Sequence, residues 1–231
     1  MSSRLASFKG PSTPNSSPVQ HRQASNIPSS PAKSTESTFH RKLRTLLQEL
    51  RAATDIWDDL ILIDGLKAAK SLVDARTELD NALSSAPNRL PRTRIVGPKL
   101  DLMEQRIHDL DGVLAKLQKQ FRKMTAIVDN LEVLVIDAYR NKGCQWVQQE
   151  PLWTTWSLEK FASTIPEILI PYHRALNGHI ALVNALRSHS ISFEESRSAI
   201  STWTEQPWLE GSGWEANWEE LCSVEIDRWN R

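Results

Sequence analysis

From Leu100 onward, apolar residues return in alternating steps of three and four: Leu100, Met103, Ile107, Leu110, Leu114, Leu117, Phe121, Met124, Val128, Leu131, Val135 and Ala138. A 3-4 repeat held for about six heptads draws a continuous apolar seam along a helix and favours left-handed supercoiling against a partner. The pattern predicts a helix from Lys99 to Lys142, roughly 66 Å long. Gly97-Pro98 reads as its start, because a proline near the first turn forfeits no hydrogen bond. Gly143 reads as its end, because glycine takes the left-handed conformation most readily. Val113, Ile127 and Leu134 widen the seam. A strip this wide exceeds what a two-stranded seam covers, so these three residues are candidate docking positions for a third helix or a partner chain.

A second amphipathic stretch runs from about Ser37 to Leu83. Its stripe is Phe39, Leu43, Leu46, Leu50, Ala53, Trp57 and Leu60, then slips at Leu62-Ile63-Asp64-Gly65 and resumes through Leu66, Ala69, Val73, Leu79 and Leu83. One long helix with a stutter and two helices meeting near Gly65 both fit. Between the two stretches, Pro87, Pro91, Gly97 and Pro98 break helical order. The simplest arrangement is an antiparallel hairpin over residues 37–143.

After Gly143 the character changes, since all but Trp57 of the nine tryptophans lie there. An indole buries on the order of 200 Å² yet keeps an N–H that seeks an acceptor, which suits it to small cores and to interface hot spots alike. Ser157 is placed to cap a helix running toward Ser188, bent or divided by Pro166 and Pro171. Ser192-Phe193-Glu194-Glu195 is a capping box opening a helix that ends before Pro207, and a last segment spans Trp214 to Asn230. This Trp-rich region, residues 144–231, is expected to pack shorter helices on the hairpin. The expected fold is all-α.

Residues 1–36 lack the apolar content to offset the entropy of ordering and are expected to form a disordered Ser/Pro-rich tail. Thr13-Pro14, Ser17-Pro18 and Ser30-Pro31 are proline-directed sites. Ser30, followed by Pro31-Ala32-Lys33, is the candidate for phosphorylation, which would reverse much of the tail's positive charge from Arg4, Lys9, Arg22 and Lys33. The formal net charge is zero, so no overall field draws the chain to nucleic acid or membrane. The two cysteines, Cys144 and Cys222, lack metal-ligand spacing and are too few for a disulfide framework. No apolar run approaches the roughly 18 residues of a membrane span. Together these features lead to the expectation of a soluble, intracellular protein.

Candidate chemistry is sparse. The six histidines form no HxxxH or HExxH pair, and no glycine-rich phosphate loop or GxSxG elbow is present. Asp55, Asp58, Asp59 and Asp64 lack calcium-loop spacing and read as a solvated helix face. Arg89, Arg92 and Arg94 have no stacking aromatics beside them, so direct nucleic-acid binding is not expected. Arg44-Thr45-Leu46-Leu47 matches a short cyclin-docking pattern, but the core stripe accounts for its leucines. No enzymatic activity, metal or cofactor is expected.

Several blocks resemble one known family. They are Trp57-Asp58-Asp59-Leu60-Ile61-Leu62, the heptad helix, Leu152-Trp153-Thr154-Thr155-Trp156 with Phe161, Tyr172-His173-Arg174, and Trp203-Thr204-Glu205-Gln206-Pro207-Trp208-Leu209. In this order and spacing, over roughly residues 50–225, the chain resembles the cyclin-dependent kinase 2-interacting protein family of small helical, coiled-coil-bearing proteins. The resemblance implies a non-enzymatic nuclear adaptor, with a cytoplasmic pool also compatible. The implied partners are a cyclin-dependent kinase complex, the machinery of DNA replication and genome maintenance, or an AAA-type ATPase assembly linked to ribosome maturation. The family has no catalytic motif to carry over. Trp203, Gln206, Pro207 and Trp208 are the candidate partner-binding residues; Trp203, Pro207 and Trp208 either form an exposed turn that a partner reads or staple the C-terminal helices together. A structural coiled-coil subunit of a kinetochore or tethering complex, pairing its seam with another chain, is the alternative.

Overall fold

The structure, a computed structural model, describes residues 36–85, 93–188, 190–210 and 213–226. Ser30, the other proline-directed sites, Arg89, Arg92 and Trp229 lie outside the described residues. Helix α1 (Thr38–Asp59) begins at Ser37, whose hydroxyl accepts from the His40 N–H. That bond satisfies one of the donors left unpaired in a first helical turn. A π-helical turn, Leu60–Gly65, follows without interruption and leads into α2 (Leu66–Ser85). The slip in the sequence is therefore a stutter within one continuous helix. The extra residue of the π turn pushes Leu62 and Ile63 outward and brings Ala68, Ala69, Leu72, Val73 and Leu79 back to the buried side.

Helix α3 (Thr93–Lys142) is 50 residues long, or about 75 Å. It starts before the predicted Gly97-Pro98 boundary, with Pro98 inside it. The missing Pro98 N–H costs only the bond to the Arg94 carbonyl, and that lies on an exposed end where water can replace it. The far end is as predicted: Gly143 has φ +86°, a conformation that costs glycine little. Ion pairs join Glu78 to Lys99 and Asp64 to Lys116, so positions rise along α3 as they fall along α1 and α2. The pair of long elements is an antiparallel hairpin.

The shorter helices pack on it. They are α4 (Cys144–Gln149), α5 (Leu158–Thr164), a 3-10 turn at Ile165–Ile168, α6 (Leu169–Arg187), α7 (Phe193–Glu205), α8 (Pro207–Glu210), and α9 (Trp214–Leu221) with a π turn at Cys222–Ile226. The predicted caps form: Ser157 accepts from the Lys160 N–H, and Ser192 and Glu195 close a capping box. Pro166 divides the predicted Ser157–Ser188 helix through the 3-10 turn, and Pro171 falls within the first turn of α6, where its missing N–H is cheap. Arg187 pairs with Asp111, and His173 stacks on Phe121 at 5.6 Å, so α6 runs antiparallel to α3.

These helices close the seam within the chain. Met103, Leu110, Leu117, Met124, Leu131 and Ala138 are all at most 2% exposed, and the added strip of Val113, Ile127 and Leu134 is at most 4% exposed. The strip is part of the common core against which α1, α2, α5 and α6 pack, which removes it from the surface as a docking strip for another protein.

Candidate functional site

The two blocks Trp57–Leu62 and Trp203–Leu209 lie far apart in sequence and meet in one junction. Trp57 is fully buried, and its Nε1–H donates to Gln206 Oε1 at 3.2 Å. Trp203 is fully buried too, and its Nε1–H donates to the Ile61 carbonyl at 3.0 Å. That carbonyl also accepts from the Leu66 N–H, the i+5 bond of the π turn. A Cβ at Gly65 would lie 2.4 Å from Trp203 Cζ2, so a side-chain-free residue is what lets the indole reach the π turn. Gly178 on α6 does the same for Trp208, whose Cζ2 would lie 2.3 Å from a Cβ there. Tyr172 meets Trp57 edge to face at 5.1 Å.

His179 sits between the two indoles of α7 and α8, 4.5 Å from Trp203 and 5.6 Å from Trp208. It is fully buried and neither ring nitrogen has a hydrogen-bond partner. Burial drives its pKa down to about 4, with the nearby Gln206 side chain opposing the shift without reaching it in good geometry. The imidazole is therefore neutral at physiological pH and acts as a third aromatic plate. Gln206 itself has φ 42°, a left-handed backbone that ends α7. The bond to Trp57 and the Leu209 N–H on its own carbonyl hold it there.

Of the two readings of this segment, the burial of Trp203 excludes an exposed turn formed by all three of Trp203, Pro207 and Trp208 and is what a staple between helices requires. Trp203 and Gln206 are at most 8% exposed, Trp208 is half-buried, and Pro207 is the exposed member of the group. The indole N–H of Trp203 and the side-chain oxygen of Gln206 are engaged here by the chain's own groups, the Ile61 carbonyl and the Trp57 N–H.

Beside the junction lies an open groove of about 290 Å³. Asp55, Asp58, Glu205 and Glu219 line it, with Arg51 the one basic residue, and Leu62, Leu209, Tyr172 and Trp218 supply apolar surface. Arg51 and Glu219 face each other across it at 3.8 Å, with their side chains 37% and 68% exposed. A pair so open to water contributes little to stability.

The Leu152–Trp156 block forms a second junction. Glu225, 2% exposed, accepts the Thr154 N–H at 3.1 Å on Oε2, and the Thr155 N–H at 3.1 Å and Thr155 hydroxyl at 2.8 Å on Oε1. A buried carboxylate holding two main-chain donors is how the acidic C-terminal segment anchors the loop before α5. A carbonyl can only accept, so His40 donates from Nε2 to the Leu152 oxygen at 2.7 Å. Trp153 packs between Phe161 and the Arg44 guanidinium. A third tie is Arg76 of α2, which donates to the Leu186 carbonyl at 2.8 Å and the Ser196 hydroxyl at 3.3 Å. Burial lowers its pKa from the usual value while Asp80 opposes that shift, and the end of α6 offers the negative pole of a helix dipole. Sequence reading missed Arg76, Glu225 and His179 as organisers. Gly178, set mid-helix on an apolar face, was the available hint, because a glycine there marks close approach by a neighbour.

No group of His, Cys, Asp or Glu among the described residues is arranged to hold a metal, and no described helix is long and apolar enough to cross a membrane. No protein-family model matches the chain, and comparison with curated proteins finds no match.

Proposed function

We propose that this protein is a non-enzymatic adaptor that bridges proteins in a nuclear complex, as the resemblance to the cyclin-dependent kinase 2-interacting protein family implies. One observation carries the reading. Two of the blocks behind the resemblance, Trp57–Leu62 and Trp203–Leu209, converge into an indole-locked junction and leave beside it an open charged groove lined in part by Leu62, which is 47% exposed. Rigid scaffolding next to exposed apolar side chains is the arrangement of a surface that binds other proteins. The partner classes are a cyclin-dependent kinase complex, replication and genome-maintenance machinery, or an AAA-type ATPase assembly in ribosome maturation. The reading involves no cofactor, no membrane and no direct contact with nucleic acid, and places the protein in the nucleus with a cytoplasmic pool compatible.

Affinity purification of the tagged full chain, followed by mass spectrometry, tests this. Stoichiometric recovery of a kinase complex or an AAA-type ATPase supports it; recovery of the chain alone from nuclear and cytoplasmic extracts refutes it. The reading as a structural coiled-coil subunit requires a seam open to another chain, and the seam here is covered by α1, α2, α5 and α6. Light scattering separates the two, since an obligate multimer with its seam exchanged between chains would restore the second reading.

A further inference from the structure

Helix α3 has a second ordered face. On the side turned away from the buried seam, Ala115, Arg122, Ala126, Asp129, Val133 and Ile136 follow one another in steps of three, four or seven, and all of them are exposed. Val133 and Ile136 are 57% and 50% exposed, large apolar side chains one helical turn apart. The charges along this face are sorted. Residues 115–126 carry Lys116, Lys119, Arg122 and Lys123 and no acid, whereas residues 127–139 carry Asp129, Glu132 and Asp137 and no base. Lys116 is held by Asp64, and the other ion pairs of α3 use Lys99, Arg106, Asp109 and Asp111. Lys119, Arg122, Lys123, Asp129, Glu132 and Asp137 therefore enter no ion pair among the described residues. Such sorting works against a lone helix, because Lys119 and Lys123, four apart, and Asp129 and Glu132, three apart, repel along one side. It becomes favourable where the basic half meets an acidic half and the acidic half a basic one. A second α3 running in the opposite direction offers both at once, whereas an in-register parallel copy sets lysine against lysine.

Independently of the adaptor reading, we propose that this face of α3 binds a second copy of the chain, the two α3 helices running antiparallel across a two-fold axis near Ala126. The contact spans residues 115–140, roughly 39 Å of helix. At the axis Ala126 meets its own counterpart, and the small side chain admits close approach. Toward either end Arg122 of one copy faces Asp129 and Glu132 of the other, Lys119 faces Asp137, and Val133 and Ile136 lie along the stems of Lys119 and Gln118. The interface is isologous, so each contact away from the axis occurs twice. It is one helix wide, which places the dimer among weak, reversible ones with Kd on the order of 10 µM. The buried seam keeps its covering helices, which separates this dimer from a coiled coil whose seam is exchanged between chains.

The test is sedimentation equilibrium of the full chain from about 1 to 300 µM at low salt. The wild type should pass from the 26.2 kDa monomer to twice that mass, and salt should weaken the dimer. K119E/R122E makes the face wholly acidic and D129K/E132K makes it wholly basic; each alone should dimerise at least tenfold more weakly, and an equimolar mixture of the two should recover a dimer. D101K/E104K reverses exposed charges on α3 outside the contact and should leave the wild-type affinity unchanged. All these positions are exposed, and the recovery in the mixture shows that the variants are folded. Direction is read by disulfide trapping on a C144S background, where Q118C and I136C chains should cross-link to each other and neither to itself. A wild type that stays monomeric to about 300 µM, a mixture that stays monomeric, or Q118C chains that cross-link to themselves overturns the proposal. A dimer equally stable in K119E/R122E and D129K/E132K also overturns it, and assigns the association to another surface.

Discussion

Substituting alanine at two helical glycines should have opposite effects, because their surroundings differ. A Cβ at Gly65 would lie 2.4 Å from Trp203 Cζ2, 3.0 Å from Trp203 Cε2 and 3.0 Å from the Leu60 carbonyl oxygen. Carbon atoms rest at about 3.5–4.0 Å, so the indole must retreat by about 1 Å. It has nowhere to go: Trp203 is fully buried, tied through Nε1 to Ile61 at 3.0 Å, with His179 4.5 Å away. Overpacking of this kind costs about 1–3 kcal/mol, and losing the indole hydrogen bond adds about 1 kcal/mol. Alanine's better helix propensity returns about 1 kcal/mol, leaving Gly65→Ala destabilising by about 1–3 kcal/mol. Gly112 on α3 has nothing within 4 Å of its would-be Cβ, so Gly112→Ala gains the propensity term alone and stabilises by about 0.5–1 kcal/mol. Thermal unfolding followed by circular dichroism reads both. In a chain of this size Gly65→Ala should lower Tm by about 2–12 °C and Gly112→Ala should raise it by about 1–4 °C. Shifts of the same sign, or a Gly65→Ala protein as stable as the wild type, would refute the close approach of Trp203 to the π turn.

Three further outcomes follow from the two junctions. Gln206→Ala loses the bond to Trp57 and keeps a side chain at φ 42°, whereas Gln206→Gly loses the bond but relieves the backbone; urea unfolding should find the glycine variant more stable by about 1 kcal/mol, and the reverse order would contradict the strained cap. His179 has its pKa lowered from 6.5 to about 4, so its contribution is complete above pH 6.5 and is lost as pH falls, because the unfolded chain takes up a proton that the folded one resists until near pH 4. That amounts to at most about 3 kcal/mol between pH 7.5 and 4, and His179→Phe should flatten this part of the stability profile; an unchanged slope would place the acid sensitivity in other groups. Glu225→Gln leaves one acceptor oxygen where three donors converge and should cost about 1–3 kcal/mol, with faster hydrogen exchange at the Thr154 and Thr155 amides; unaltered exchange there would disprove the anchor.

The elements were legible where local rules act alone. The 3-4 repeat on α3, the caps at Ser157 and Ser192 and the stop at Gly143 depend on neighbouring residues, and each was readable in order along the chain. Pro98 was read too strongly, because its cost depends on whether the orphaned carbonyl meets water, which composition does not reveal. The Trp203–Trp208 segment left two readings open, an exposed turn and a staple between helices, because indoles serve cores and interfaces equally well. The choice was made by Gly65 and Gly178, which become informative only once the helices bearing them lie beside those indoles. Arg76 and Glu225 were missed for the same reason. A buried charge is recognisable by the main-chain groups that meet it, here from residues 110 positions away for Arg76 and 70 for Glu225.

The π turn at Leu60–Gly65 also governs how the gene can vary. Removing one residue there would restore an unbroken α-helix, and everything beyond it would rotate by about 100°. Leu72 and Leu79 would leave α3, Arg76 would leave the end of α6, and the Ile61 oxygen would leave Trp203. Chain length is therefore fixed to the single residue across this turn, so single-residue insertions and deletions should be excluded between Trp57 and Arg76 even where individual substitutions are tolerated.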